Sequence, residues 1–322
     1  MAECPNGFRI SSHLQEIIAY LGSDYVFEEG SELLKKLLDV DLSAKQLQKV
    51  SEHMGSKLEE EAAIEQIEEH KATQLEASQQ VYTYVQMDGS MLLTREEKWK
   101  EIKLGRLFQI PIKEAYAKKY PKILHSEYVA YLGDAATFLK RLDHHIPEVK
   151  CPIFIADGAS WIWDWIEKNH TNSLQILDFY HALQYAWDFV KLAIIDVNVQ
   201  KSWIEAIKNI LLDNRVDYLL RHFEMLKSRV KDDALLMLDR LIRYYKRNQH
   251  RMYYGFYRER KLLIGSGAIE SAHREVIQHR LKRSGQRWSK TGAQQIAQLR
   301  VAKKSNQWQK VINIAQYGKI AA

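Results

Sequence analysis

Cysteine is nearly missing: the 322 residues hold two, Cys4 and Cys151, far apart and in no CxxC spacing. A disulfide framework and a cysteine-ligated zinc site are therefore both unsupported, which points to a reducing cytosol. Long hydrophobic runs are missing too, since no apolar stretch approaches the roughly 20 residues of a membrane helix. The opening "MAECPNGFRISSH" lacks the basic-then-apolar layout of a secretion signal. A soluble, cytoplasmic chain is expected. Charge of one sign does not dominate: 47 Lys and Arg against 41 Asp and Glu give a net +6. That mild surplus is compatible with a polyanionic partner and does not establish one. No internal repeat or low-complexity tract is present. What the chain does have is apolar content, 46%, enough for a sizeable core in one large domain or two to three smaller ones.

Residues 11–80 read as helices. "SELLKKLLDV" (31–40) and "LSAKQLQKVSEHMGSKLEEEAAIEQIEEH" (42–70) space their apolar residues at three and four. Ser43 with Gln46 fits a capping box that starts a new helix. Two helices joined by "VDLS" fit either a DNA-reading helix-turn-helix or a plain helical bundle. The acidic run from Glu59 to Glu69 reads as a solvated face leading to a linker around 70–79.

The texture then changes. "VYTYVQMDGSMLL" (81–93), "KLGRLFQI" (103–110) and "KILHSEYVAYLG" (122–133) are β-branched and aromatic, as three antiparallel strands would be. A helical pattern over 134–146 precedes "CPIFIADGA" (151–159), a fully apolar strand of the kind that sits centrally, covered on both faces. A helix over about 160–169 and a strand at 174–178 follow. The order β-β-β-α-β-α-β is that of an RNase H-like core. From 180 to about 262 the pattern is all helical. Helices are expected again over about 268–283 and 290–304, before a C-terminal tail. The expected parts are thus a helical N-terminal region (1–80), an α/β mixed-sheet core in two pieces (81–179 and 263–322), and an all-helical insertion (180–262).

Three acids stand out by position: Asp88 in "VQMDGS" and Asp157 in "FIADGA", each read as ending a strand, and Glu270 one turn into a helix in "GSGAIESA". Strand ends in such sheets open into the crevice where ligands bind. Magnesium prefers hard oxygen ligands, and two such ions roughly 3.5–4 Å apart activate the attacking oxygen and stabilise the leaving one in phosphoryl transfer. Unpaired carboxylates packed together would raise one another's pKa, so a bound cation would relieve them. A single Asp-Gly is equally a standard turn former. The combination of two such sites with a Gly-flanked helical Glu is the more specific signal.

Together, "MDGSMLLTREEKWKEIKLGRLF", "ADGASWIWDWIEKNHTNSLQILDFYHA" and "IGSGAIESAHREVIQHRLKRSGQRWS" resemble the three catalytic blocks of bacterial DDE transposases. The ISLre/ISKra-type insertion-sequence group, related to the Mutator-like transposases, is the nearest in pattern. The resemblance covers most of residues 10–305. It implies an RNase H-like fold with an all-helical insertion, and a DNA transposase that cleaves insertion-sequence ends and joins them to target DNA. It further implies Mg²⁺ or Mn²⁺ as cofactor and a homodimer or higher oligomer on paired DNA ends. Asp88, Asp157 and Glu270 match the three metal-binding acids. "DFYH" (178–181) is similar to a DxxH signature of these relatives, which makes Asp178 and His181 candidates for an auxiliary catalytic role; unaided, they read as a helix N-cap and a core or capping histidine. Relatives often carry zinc-binding cysteine pairs ahead of the helical region. Their absence here keeps in view a shortened or inactive transposase-derived DNA-binding protein; a further alternative, a generic RNase H-like nuclease, would share the acids but need no long helical insertion.

Arg274, Arg280, Lys282, Arg283, Arg287 and Lys290, with Trp288 among them, form a dense basic run beside Glu270 and are expected to neutralise DNA phosphates. Lys98, Lys100, Lys103 and Arg106 extend the track as a second candidate patch. On a helix from about Ser160, Trp161 and Trp165 share a face that would pack on the sheet, while Trp163 points elsewhere and is a candidate for stacking on an exposed base.

Overall fold

The fourteen residues VYTYVQMDGSMLLT form one strand, β1 (Val81–Thr94), which does not stop at its aspartate. The computed structural model describes residues 6–65, 73, 75, 77–119 and 121–320. Cys4, the end of the acidic run at 66–69 and half of the expected linker around 70–79 lie outside them. β1 folds back on β2 (Lys98–Pro111) in a long antiparallel hairpin, from Val81 opposite Pro111 to Thr94 opposite Lys98. β3 (Ser126–Tyr131) adds antiparallel to β2, whereas β4 (Ile153–Ala156) runs parallel to β1 on its other side and β5 (Leu174–Leu177) parallel to β4. The result is a mixed sheet in the order β3-β2-β1-β4-β5. Every residue of β4 is buried, as its unbroken apolar run requires.

Helices α1 (Ser12–Asp24), α2 (Phe27–Leu38) and α3 (Ala44–Glu65) precede the sheet. The capping box at the start of α3 is formed: Ser43 Oγ accepts from the Gln46 N–H, and Gln46 Oε1 accepts from the Ser43 N–H at 2.9 Å. Between strands lie α4 (Ile112–Ala117), which the sequence pattern did not suggest, α5 (Ala135–His144) and α6 (Ser160–Asn169). After β5 comes an all-helical block of α7 (Phe179–Ala193), α8 (Val197–Leu212), α9 (Val216–Leu226), α10 (Asp232–Asn248) and α11 (Tyr254–Glu259). The chain then returns through α12 (Gly267–Ala272), a π-helical stretch (His273–Gln278) and α13 (His279–Leu281) to α14 (Lys290–Lys304). The expected C-terminal tail is instead a helix, α15 (Trp308–Tyr317), whose Val311, Ile314 and Ala315 are buried.

Two apolar cores flank the sheet. One joins Tyr84, Phe108, Phe154 and Ile155 to Phe189, Phe223 and Leu241 of the helical block. The other joins Leu92, Ile102 and Ala130 to Leu47 and Met54 of α3 and to Ile296 and Ile314 near the C-terminus. The first three helices therefore pack as a bundle with the last two. α3 and α14 approach each other closely at Gly55, where a Cβ would lie 2.1 Å from the Gln295 carbonyl oxygen.

Candidate active site

The parallel pairing of β1 with β4 ends at Gln86 opposite Ile155. Two residues further along each strand are Asp88 and Asp157. Asp157 follows the last residue of β4, as expected. Asp88 does not end its strand: it lies mid-hairpin opposite Leu104, and β1 runs on to Thr94 because β2 supplies a partner for its whole length. What ends near Asp88 is the neighbouring strand, so the carboxylate still faces the mouth that β4 leaves. Burial pushes the Asp88 carboxyl up to about 6, with the charge of Asp157 adding to it; the Gly89 N–H, donating at 2.7 Å, and His181 pull the other way. Asp157 is held by the Ala159 N–H, which donates to its Oδ1 at 2.9 Å.

Asp178 and His181 converge on the same place. Asp178 is fully buried and caps α7, accepting the His181 N–H at 2.8 Å and, on its other oxygen, the Ser266 N–H. Its own N–H donates to the Ala156 carbonyl at 2.8 Å, one residue before Asp157. Burial works against its ionisation, but the hydrogen bonds from His181 and Ser266 hold its pKa below the ordinary value. His181 Nδ1 lies 3.6 Å from Asp178 Oδ1, an ion-pair rather than a hydrogen-bond distance. Asp178 holds the imidazole's pKa up against burial, and the charges of Asp157 and Asp88 add to the effect. The four groups are thus electrostatically linked.

The segment carrying Glu270 is tied across this cluster by Gln86, which sequence reasoning missed, and by Arg106, which it had placed in a DNA-contact patch. Gln86, fully buried in β1, accepts the Ile269 N–H at 3.0 Å and donates to the Gly265 carbonyl at 3.3 Å. Arg106 donates to the Ala268 carbonyl at 2.9 Å. The available signal for Gln86 was an amide flanked by apolar Val85 and Met87 within the strand, two positions before Asp88. His273, also missed, is buried within 3.2 Å of the Asp88 carbonyl oxygen and of Ser90 Oγ, and burial drives its pKa down to about 4. Glu270 itself is exposed and makes no hydrogen bond or ion pair with Asp88 or Asp157. Among the described residues no group of three or more His, Cys, Asp or Glu side chains is arranged to hold a metal ion. The structure therefore brings together Asp88, Asp157, Asp178 and His181, and leaves Glu270 on the exposed side of α12.

The basic run divides. Arg274 and Arg287 are exposed. Lys282 is exposed as well and close enough to Asp88 for that charge to oppose the burial that lowers its pKa. Arg283 pairs with Glu29 at 2.9 Å and Lys290 with Glu97 at 3.0 Å. Two expectations are corrected. Arg280 is 1% exposed, donates to the Gly22 carbonyl at 2.9 Å, and lies between the rings of Phe27 and Trp288, each 4.8 Å away. Trp288 is buried too, donating to the Leu281 carbonyl at 3.1 Å. Both fasten this segment to α1, α2 and the β1–β2 turn, because a basic stretch that packs must turn some members inward; neither can reach DNA. In the second patch, Lys103 donates to the Gly133 carbonyl and pairs with Glu101, and Arg106 is occupied by Ala268. Only Lys98 and Lys100 of that set face outward, with Lys100 paired to Glu97.

The tryptophans are corrected as well. Trp163, the candidate for base stacking, is 1% exposed and donates to the Asp157 carbonyl at 2.6 Å, with Arg251 4.2 Å over its ring. α6 lies between the sheet and the helical block, so both of its faces find partners. Trp161 and Trp165 pack edge-on to Phe138 and Phe154. No family model matches the chain, and no curated protein matches it. No helix among the described residues is long and apolar enough to cross a membrane.

Proposed function

We propose that the chain is a DDE-type DNA transposase that cleaves insertion-sequence ends and joins them to target DNA. The observation that carries this reading is the pair Asp88 and Asp157, two residues beyond the last paired residues of two parallel strands, where the charge of Asp157 adds to the burial that raises the Asp88 pKa. The sheet order, three antiparallel-linked strands followed by two parallel ones, supports an RNase H-like core. The five-helix block between β5 and α12 supports an insertion.

Two repelling carboxylates form a hard-oxygen donor pair that suits Mg²⁺ or Mn²⁺. Asp88 and Asp157 would hold the ion, with Glu270 on α12 as the third candidate ligand. Bound there, a divalent cation would lower the pKa of an attacking water or 3′-hydroxyl and offset charge on the phosphate. His181, whose proton Asp178 helps to hold, can donate a proton or hydrogen bond to a phosphate or leaving oxygen. Lys282, Arg274 and Arg287 neutralise neighbouring phosphates. The ties from Gln86 and Asp178 fix the 264–270 segment relative to the pair. Assembly on paired ends would require a homodimer or larger oligomer.

The lack of a three-carboxylate group among the described residues favours one second reading, a transposase-derived protein that binds DNA without cutting it. Incubating the chain with a labelled duplex from the DNA flanking its gene, with Mg²⁺ or with chelator, separates the readings. Metal-dependent cleavage with joining supports the transposase, cleavage alone a nuclease, and binding alone the non-catalytic protein.

A further inference from the structure

Helix α10 buries one face, Leu238, Leu241, Ile242 and Tyr245, in the core of the helical block. Its other side carries Arg240, Arg243, Tyr244 and Arg247 at three- and four-residue spacing, which places them in one stripe. The stripe runs past the candidate active site, because Tyr244 is seated on the glycine that follows Asp157. A Cβ on Gly158 would lie 2.1 Å from the Tyr244 ring, and Tyr185 stacks behind that ring at 4.0 Å and 7°. A rise of about 1.5 Å per residue sets Arg240 about 6 Å to one side of Tyr244 along the axis and Arg247 about 4.5 Å to the other.

Arg240 and Arg243 are exposed and have no hydrogen-bond or ion-pair partner among the described residues. Among the described residues Arg247 reaches only Asp164 of α6, at 3.5 Å and with both groups largely in solvent, a pair that contributes little. The other acids nearby are engaged elsewhere: Asp188 accepts from Gln184 at 2.7 Å, Glu167 pairs with Arg251, and Asp239 pairs with Lys227. A basic stripe anchored beside a carboxylate pair is suited to a polyanion whose reacting phosphate lies at that pair.

We propose that Arg240, Arg243 and Arg247 form a further DNA-contact surface, gripping backbone phosphates of the strand that leads away from Asp88 and Asp157. This rests on the nucleic-acid reading above and gives the helical block a direct part in holding substrate. The test uses the full chain and two fluorescein-labelled probes, a 30-base-pair duplex of arbitrary sequence and a single strand of the same length, over a salt series. Arg240→Ala/Arg243→Ala is expected to weaken binding about tenfold at low salt and to reduce the slope of log affinity against log salt by about 2. Arg240→Lys/Arg243→Lys should restore the slope, and Lys140→Ala/Lys201→Ala, exposed on α5 and α8, should leave it unchanged. A normal thermal midpoint for the alanine variant shows that the loss is not unfolding. If the wild type binds and the alanine variant matches it in affinity and slope, the stripe is not a contact surface, and the transposase reading stands. If the wild type binds neither probe, the nucleic-acid reading itself falls.

Discussion

Replacing Asp157 by Asn removes one charge from the mouth of the sheet with little change of shape, and its first effect should appear at Asp88. The Asp88 carboxyl stands at about 6 instead of 3.8, raised mainly by burial and further by Asp157. Burial survives the substitution, so Asp88 should settle between those values rather than return to the lower one. A carboxyl whose folded pKa is raised binds its proton more tightly in the native state. The resulting destabilisation is absent below the unfolded value and complete once the pH exceeds the folded one. A tenfold change in proton affinity is ~1.4 kcal/mol, which for an enclosed group would give about 3 kcal/mol. With 44% of the Asp88 side chain exposed, solvent screening reduces this to ~1 kcal/mol. Asp157→Asn should therefore recover a few tenths of a kcal/mol at about pH 7.5 and nothing well below the unfolded pKa. Carboxyl-carbon NMR titration of metal-free protein, with Asp88→Asn to assign the signal, reads the pKa directly, and urea unfolding at both pH values reads the stability. An Asp88 titration identical in wild type and Asp157→Asn would show that the two carboxylates do not act on each other.

Gly158→Ala should destabilise the fold by ~1–3 kcal/mol, because its methyl would fall 2.1 Å from a Tyr244 ring that Tyr185 prevents from retreating; thermal unfolding checks this. Gln86→Leu keeps the volume but orphans the Ile269 N–H, at a cost of ~1–3 kcal/mol, and should expose residues 262–270 to limited proteolysis. Arg280→Ala should lower stability by ~2 kcal/mol or more while leaving the DNA affinity of the folded fraction unchanged. Arg287→Ala should do the reverse, leaving the unfolding midpoint alone and reducing the salt slope of DNA binding by about 1.

Strands and their order were legible because alternation and β-branched content survive whatever packs against them, and β4 announced its central place by lacking any polar residue. Helical periodicity likewise marked the block between β5 and α12. The short α4 was not legible, since six residues give less than two turns of pattern. The basic segment misled for a physical reason: charge density is read along the chain, whereas burial is decided by which side of α13 and its flanks meets Phe27 and Gly22. Arg280 and Arg287 look alike in sequence and sit in opposite environments. Trp163 misled similarly, because helical spacing separates faces but does not say that both will be covered. The Asp88–Asp157 pairing was suggested by two Asp-Gly steps, but the ties that brace it, Gln86 to Ile269 and Asp178 to Ser266, join residues far apart in the chain and leave no local pattern.

On the proposed function, Asp88 and Asp157 form a metal-dependent phosphoryl-transfer site on a DNA-binding protein. Its most direct test compares wild type with Asp157→Asn on a labelled duplex carrying the DNA that flanks the gene, in Mg²⁺, measuring binding and strand cleavage on the same samples. Asp157→Asn is expected to bind DNA as well as wild type and no longer to cleave it. Equal cleavage by the two proteins would contradict the proposed function.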